Sequence, residues 1–203
     1  MKSIDVESLR PSEFYQHMVR MIVPRPIAWV STRSPNGVDN IAPFSYFTGV
    51  GSRPPTLLFC PANRRDGTPK DTMTNIEATG EFVVNVVTDR VAKAMNSTAA
   101  EISSDESEFE MAGLETVEAE VLQVARVKES PAQFECRLRE LIRVGDGPGG
   151  ANIVLGDVLR MHLDPAVLNS EGFVDPEQLD AVGRMGGLTY ARTRDRFDLT
   201  RPS

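Results

Sequence analysis

Phe134-Glu135-Cys136-Arg137-Leu138-Arg139-Glu140-Leu141-Ile142-Arg143-Val144 alternates apolar and charged side chains over its first half. A period of two places Phe134, Cys136 and Leu138 on one face and Glu135, Arg137 and Arg139 on the other. That pattern predicts an antiparallel strand with one face in water. Two further β signals flank it, Val117 to Val127 and Ile153 to Leu163. Upstream, Ile27 to Thr32 is a dense apolar run typical of a buried strand. Ser34-Pro35-Asn36-Gly37 follows as a turn, since Asn-Gly tolerates positive φ, and Asn40 to Gly51 is the expected returning strand. Thr56 to Cys60 and Phe82 to Val87 complete the strands. Short helices are expected over Pro11–Met18, with Phe14 and Met18 inward, over Asp71–Thr79, capped at its start and ended by Gly80, and over Asp89–Ser97. Six or more strands with few helices between them predict a mainly β fold with flanking helices, an antiparallel, Greek-key-like barrel in one domain spanning residues 1–203.

Composition narrows the function classes. The 203 residues are 40% apolar and 25% charged, as in ordinary globular chains. A net charge of -7 argues against nucleic acid and anionic membranes as partners. No secretory pattern opens Met1 to Leu9, and no apolar run reaches the roughly 20 residues of a membrane helix. Cys60 and Cys136 have neither redox-pair nor metal-ligand spacing, and Cys136, in phase with Phe134 and Leu138, reads as a reduced core residue of a cytoplasmic protein. Gly145-Asp146-Gly147-Pro148-Gly149-Gly150 fits a dinucleotide fingerprint in letters only. A pyrophosphate needs a helix directly after the glycines, whereas Ile153-Val154-Leu155 continues as strand. It reads as a mobile hairpin loop.

Three segments carry chemistry. Pro24-Arg25-Pro26-Ile27-Ala28-Trp29-Val30-Ser31-Thr32 ends a buried strand in hydroxyls. In Asn40-Ile41-Ala42-Pro43-Phe44-Ser45-Tyr46-Phe47, Pro43 interrupts the strand and Ala42 leaves room for a flat ring to approach the backbone and Ser45. Lys70-Asp71-Thr72 opens a helix, offering free N–H groups, a hydroxyl and a full charge to an anion such as a terminal phosphate.

In this order, with Pro54-Pro55-Thr56, Thr79-Gly80-Glu81-Phe82-Val83-Val84-Asn85, Ser107-Glu108-Phe109-Glu110 and Arg184-Met185-Gly186-Gly187-Leu188-Thr189-Tyr190, the chain resembles the flavin-reductase-like family of FMN-binding split barrels. The likeness is greatest to its flavoredoxin-like subgroup and covers nearly the whole chain. It implies a homodimer holding FMN near the subunit interface, with NADH or NADPH as electron donor. Electrons would leave through a partner monooxygenase or another redox protein. By this resemblance Ser31, Thr32, Asn40, Ala42, Pro43, Phe44 and Ser45 line the flavin, and Lys70, Asp71 and Thr72 hold its phosphate. Arg184 pairs with a phosphate or with the ring across the interface, or is a plain surface arginine. Apolar segments outnumber what a small barrel interior can hold, which also favours a dimer. Ser107 to Glu110 fits a capping box. Many relatives carry a histidine just before the strand at Ile153; this chain has Asn152 there, which puts nicotinamide use in question and keeps an electron-transfer module and a non-redox ligand-binding dimer as rival readings. His162 and His17 read as satisfied or exposed rather than catalytic.

Overall fold

The computed structural model describes residues 1–202. In chain order the main elements are α1 (Pro11–Met21), β1 (Ala28–Arg33), β2 (Asp39–Phe44), β3 (Phe47–Ser52), β4 (Pro55–Phe59), α2 (Asp71–Thr79) and β5 (Glu81–Val86). They continue with α3 (Ala92–Ser97), α4 (Glu108–Met111), β6 (Thr116–Glu118), β7 (Ala125–Val127), β8 (Ala132–Val144), β9 (Ala151–Leu163), α5 (Pro176–Leu179), β10 (Val182–Arg184) and β11 (Tyr190–Arg192). Seven strands form one antiparallel sheet in the order β2-β1-β5-β8-β9-β4-β3.

The expected strand over 40–51 is in fact two strands, and they sit at opposite ends of that order. Only Ser45 and Tyr46 join them. In a flat sheet six strand spacings would part them by about 29 Å. Three Cα steps from Phe44 to Phe47 span at most about 11 Å. The sheet therefore rolls into a barrel, and β2 and β3, not hydrogen-bonded to each other, leave it split along one seam. From β4 the chain crosses by way of α2 to place β5 beside β1, the return of a Greek key. Pro43 does not interrupt β2: it pairs in register with Trp29, tolerated because β2 is a terminal strand.

β1 is buried on both faces, which is why its sequence reads as a continuous apolar run. Ala28 and Val30 point into the barrel with Phe44, Phe59, Phe82, Cys136 and Val154, and Met73 and Ile76 of α2 join them. Trp29 faces outward into a second core with Ile41, Met95 and Phe109, and its indole N–H donates to Thr98 Oγ1 at 2.9 Å. Asn85, the polar interruption in β5, is fully buried and satisfied: its amide donates to Trp29 O and Ser31 Oγ, and its oxygen accepts from Val127 N–H.

Several expectations change. Phe14 on α1 is exposed, and Val19 is that helix's buried residue. The strand expected over 117–127 is a small hairpin of β6 and β7, with residues 119–124 out of the ladder. The cause lies in Glu135, expected in solvent but fully buried. Its carboxylate accepts from the N–H groups of Glu120 and Val121 at 2.8 and 2.9 Å and meets His162 Nε2 at 2.6 Å. Burial pushes that carboxyl up, but these three partners outweigh it and hold it below its ordinary value. His162 is thus a satisfied strand histidine, as read. The loop 145–150, expected mobile, is docked: Asn63 Nδ2 donates to Gly147 O, and Asn63 N–H to Gly150 O.

Gly156 of β9 faces the Phe82 ring, where a Cβ would lie 2.3 Å from Cζ. Phe82 is fully buried, in edge contact with Phe59 at 5.4 Å between centroids, so it has nowhere to move. Gly156→Ala is expected to destabilise the protein by about 1–3 kcal/mol, the range for overpacked cores. Urea unfolding checks this, by a lowered midpoint at unchanged slope.

Candidate functional site

The start of α2 meets β2 at a cleft of about 500 Å³ including its open mouth. Its lining brings together seven of the residues expected to bind a ligand: Asn40, Ala42, Pro43, Phe44, Lys70, Asp71 and Thr72. The opposite wall is the segment Thr98 to Ile102, which links α3 to α4.

A buried polar network builds the floor. Glu108 is 5% exposed and takes two bonds from Asn40 Nδ2, both at 2.9 Å, and one from Ile41 N–H at 3.1 Å. Held this way round, Asn40 turns Oδ1 toward Thr72 Oγ1 at 2.9 Å and Thr32 Oγ1 at 3.3 Å. Asn75 Nδ2 donates to Thr32 Oγ1 at 3.0 Å. The network ties β1, β2, α2 and α4 together, and it occupies the side chains of Asn40, Thr72 and Thr32. The capping box expected of Ser107 and Glu110 does not form, since the Ser107 side chain makes no cap bond. Ser107 Oγ donates to Asp39 O, and Glu108 serves the floor.

What remains for a ligand is charge and main chain. Lys70 precedes the helix, and the first N–H groups of α2 have no intrahelical acceptor. Arg64, which the sequence reading did not single out, reaches the same cleft from the loop before α2. The signal for it was present in Arg64-Arg65, two cations six residues ahead of Lys70-Asp71-Thr72. Both cations are already paired: Arg64 Nη2 with Asp71 Oδ2 at 2.5 Å, and Lys70 Nζ with Glu101 Oε1 at 3.8 Å. Asp71 does not cap the helix through its side chain. The donor set fits a phosphate that is charged enough to displace carboxylates.

Four expected residues lie elsewhere. Ser31 donates to Ala125 O at 2.6 Å on the outer face of β1, since a strand cannot turn both Ser31 and Thr32 to one side. Thr32 stands beneath the floor. Ser45 accepts from Arg25 Nε at 3.3 Å at the barrel seam. Arg184 lies on β10, with its guanidinium 4.4 Å from the Tyr190 ring centroid. Asn152 is 4% exposed and donates to Pro61 O and Asn63 Oδ1, so its amide secures the loop that carries Arg64. Among the described residues no cluster of His, Cys, Asp and Glu could hold a metal ion, and no helix is long and apolar enough to cross a membrane.

Desolvation pushes the Glu108 carboxyl above its ordinary value, with bonds from Ile41 and Asn40 offsetting part of the rise. A raised folded-state pKa favours the folded protein below the unfolded value of about 4.3, and that contribution is lost as pH rises through the folded pKa. The stability advantage of wild type over Glu108→Gln is therefore expected to shrink from pH 4 toward neutrality. Urea midpoints across that range measure it; an advantage that grows with pH contradicts the assignment.

A model of the flavin reductase like domain matches residues 18–196. A Deinococcus radiodurans protein is 40% identical over 204 residues, covering 97% of this chain and 88% of its own. The crystal structure of nitrilotriacetate monooxygenase component B from Bacillus cereus is 35% identical, covers 98% of each chain and superposes with a TM-score of 0.93. That of the 2-nitrobenzoate 2-nitroreductase of Pseudomonas fluorescens is 29% identical, with a TM-score of 0.88 over 100% of this chain and 97% of its own.

Proposed function

Because this chain belongs to the flavin reductase like domain family, we propose that it is a single-domain FMN-dependent oxidoreductase, its flavin held in the cleft between β2 and the start of α2. The observation that carries the reading is the convergence of Lys70, Arg64 and the free N–H groups of α2 beside the small, flat wall of Ala42 and Pro43. FMN, when bound, supplies hydride acceptance and onward electron transfer. Lys70 and Arg64 hold its phosphate by giving up Glu101 and Asp71 as partners. The Glu108–Asn40–Thr72 network fixes the distance between that anion site and β2. The segment Thr98–Ile102 walls the ring from water. Hydride transfer to the flavin requires no general acid or base from the protein.

The donor is NADH or NADPH in the leading reading, and the acceptor a partner monooxygenase or another redox protein in the cytoplasm. The likeness to a monooxygenase component B supports a separate acceptor. One observation favours the electron-transfer rival: Asn152 Nδ2 already donates to Pro61 O and Asn63 Oδ1, so it has no donor left for a nicotinamide.

The visible flavin band of protein loaded with FMN, recorded before and after anaerobic NADH or NADPH, separates the two. Bleaching on the timescale of turnover is expected, and a stable band moves the assignment to a carrier reduced by protein. Lys70→Ala is expected to weaken FMN about tenfold while leaving riboflavin nearly unchanged, as loss of one charged hydrogen bond requires. Equal loss for both ligands removes the phosphate assignment.

The chain is also proposed to act as a homodimer. Val50 of β3, Ile142 and Val144 of β8 and Leu159 and Met161 of β9 are exposed apolar residues on the barrel strands, and a second copy is the occupant that would cover them. Light scattering at micromolar concentration is expected to give twice the 22.3 kDa chain mass.

A further inference from the structure

The cleft on the other side of α3 has a chemistry of its own. It lies between α3 and the β10–β11 hairpin and encloses about 1070 Å³ including its open mouth. Three cations line it, Lys93, Arg184 and Arg192, against a single carboxylate, Asp89. Asp89 is already shared, accepting from Arg192 at 2.8 Å and from Arg194 at 3.2 Å. Among the described residues no carboxylate pairs with Arg184 or Lys93. On a chain of net charge -7 this is a local excess of positive charge, and such a cleft concentrates anions. The α2 cleft differs, since both its cations are paired.

The cleft also has a surface for a flat ring. The Arg184 guanidinium lies over Tyr190, 4.4 Å from the ring centroid, and its Nη2 is fixed by Gly187 O at 2.6 Å. Tyr190 in turn is fixed by its hydroxyl, which donates to Asn96 Oδ1 on α3 at 2.9 Å. A guanidinium stacked on one aromatic ring presents its second face to another. Leu188, 94% exposed, supplies apolar contact at the rim. We propose that this cleft is a second ligand site, for a planar aromatic ring bearing a phosphate or pyrophosphate, with an adenine nucleotide as the simplest member. Arg184 stacks on the ring, and Lys93 meets the phosphate.

Isothermal titration with ADP tests this, alongside adenosine and pyrophosphate as half-ligands. One saturable ADP site per chain is expected, with each half-ligand at least tenfold weaker. Lys93→Ala, a surface change on α3, is expected to weaken ADP about tenfold at an unchanged urea midpoint, and Arg184→Ala at least as much. The proposal is overturned if ADP does not bind or if pyrophosphate matches it. It is equally overturned if both variants bind ADP as wild type does, or if FMN and ADP compete for one site. Lys70→Ala, which alters only the α2 cleft, is expected to leave ADP affinity unchanged, so the two assignments fail separately.

Discussion

The two-residue link at Ser45 and Tyr46 is the constraint from which the rest of the architecture follows. It joins strands that hydrogen bonding places at opposite edges of one sheet, and so it forces the sheet to close. Arg25 holds that link. Buried, with no carboxylate partner among the described residues, it spends its donors on Val19 O and Ile22 O at the end of α1, on Met185 O, and on Ser45. A cation suits helix-terminal carbonyls, where the backbone dipoles leave partial negative charge. One side chain thereby fastens the amino-terminal helix, the seam and the residue that follows Arg184.

Closure at the seam gives β2 its two duties. Its barrel-facing residues complete the interior with Phe44, and its other flank carries Asn40 onto Glu108. A buried carboxylate is costly unless its hydrogen bonds are filled, and here Asn40 and Ile41 fill them. The polar floor is thus a spacer of fixed length between β2 and α2. In the proposed site, ligand contact would fall to groups outside this network, namely Lys70, Arg64 and the first N–H groups of α2.

Much of this was legible from residue order. The limits of α2, with Gly80 in the left-handed region at φ 71°, match the sequence reading because helix ends are local chemistry. β8 was legible from its alternating period, β1 from its unbroken apolar run, and β9 as a long β signal beside β8. Seven cleft residues were legible from resemblance. What stayed hidden depends on partners distant in the chain. Ser31 is directed by Ala125 O, ninety-four residues away, and Ser45 by Arg25, twenty away. Glu135 sits in an outward phase, yet the backbone of Glu120 and Val121 folds over it. Alternation gives the face a side chain points to and cannot say what covers that face. Phe14 and the hairpin over 116–127 were misjudged for the same reason.

The docking of the β8–β9 tip onto the loop before α2 runs largely through main-chain atoms, with Gly147 O and Gly150 O as acceptors and Asn63 as donor. Carbonyl positions depend on how many residues separate them and on the φ those residues can adopt. The letters of this loop are therefore bound as well as its length: Gly145, Gly147 and Gly149 take positive φ, and a Cβ on Gly150 would lie 2.3 Å from Gly145 O. A one-residue insertion would slide both carbonyls past Asn63 and release the segment that delivers Arg64, so in sequences descended from this one, gaps here and replacements of these glycines should both be rare.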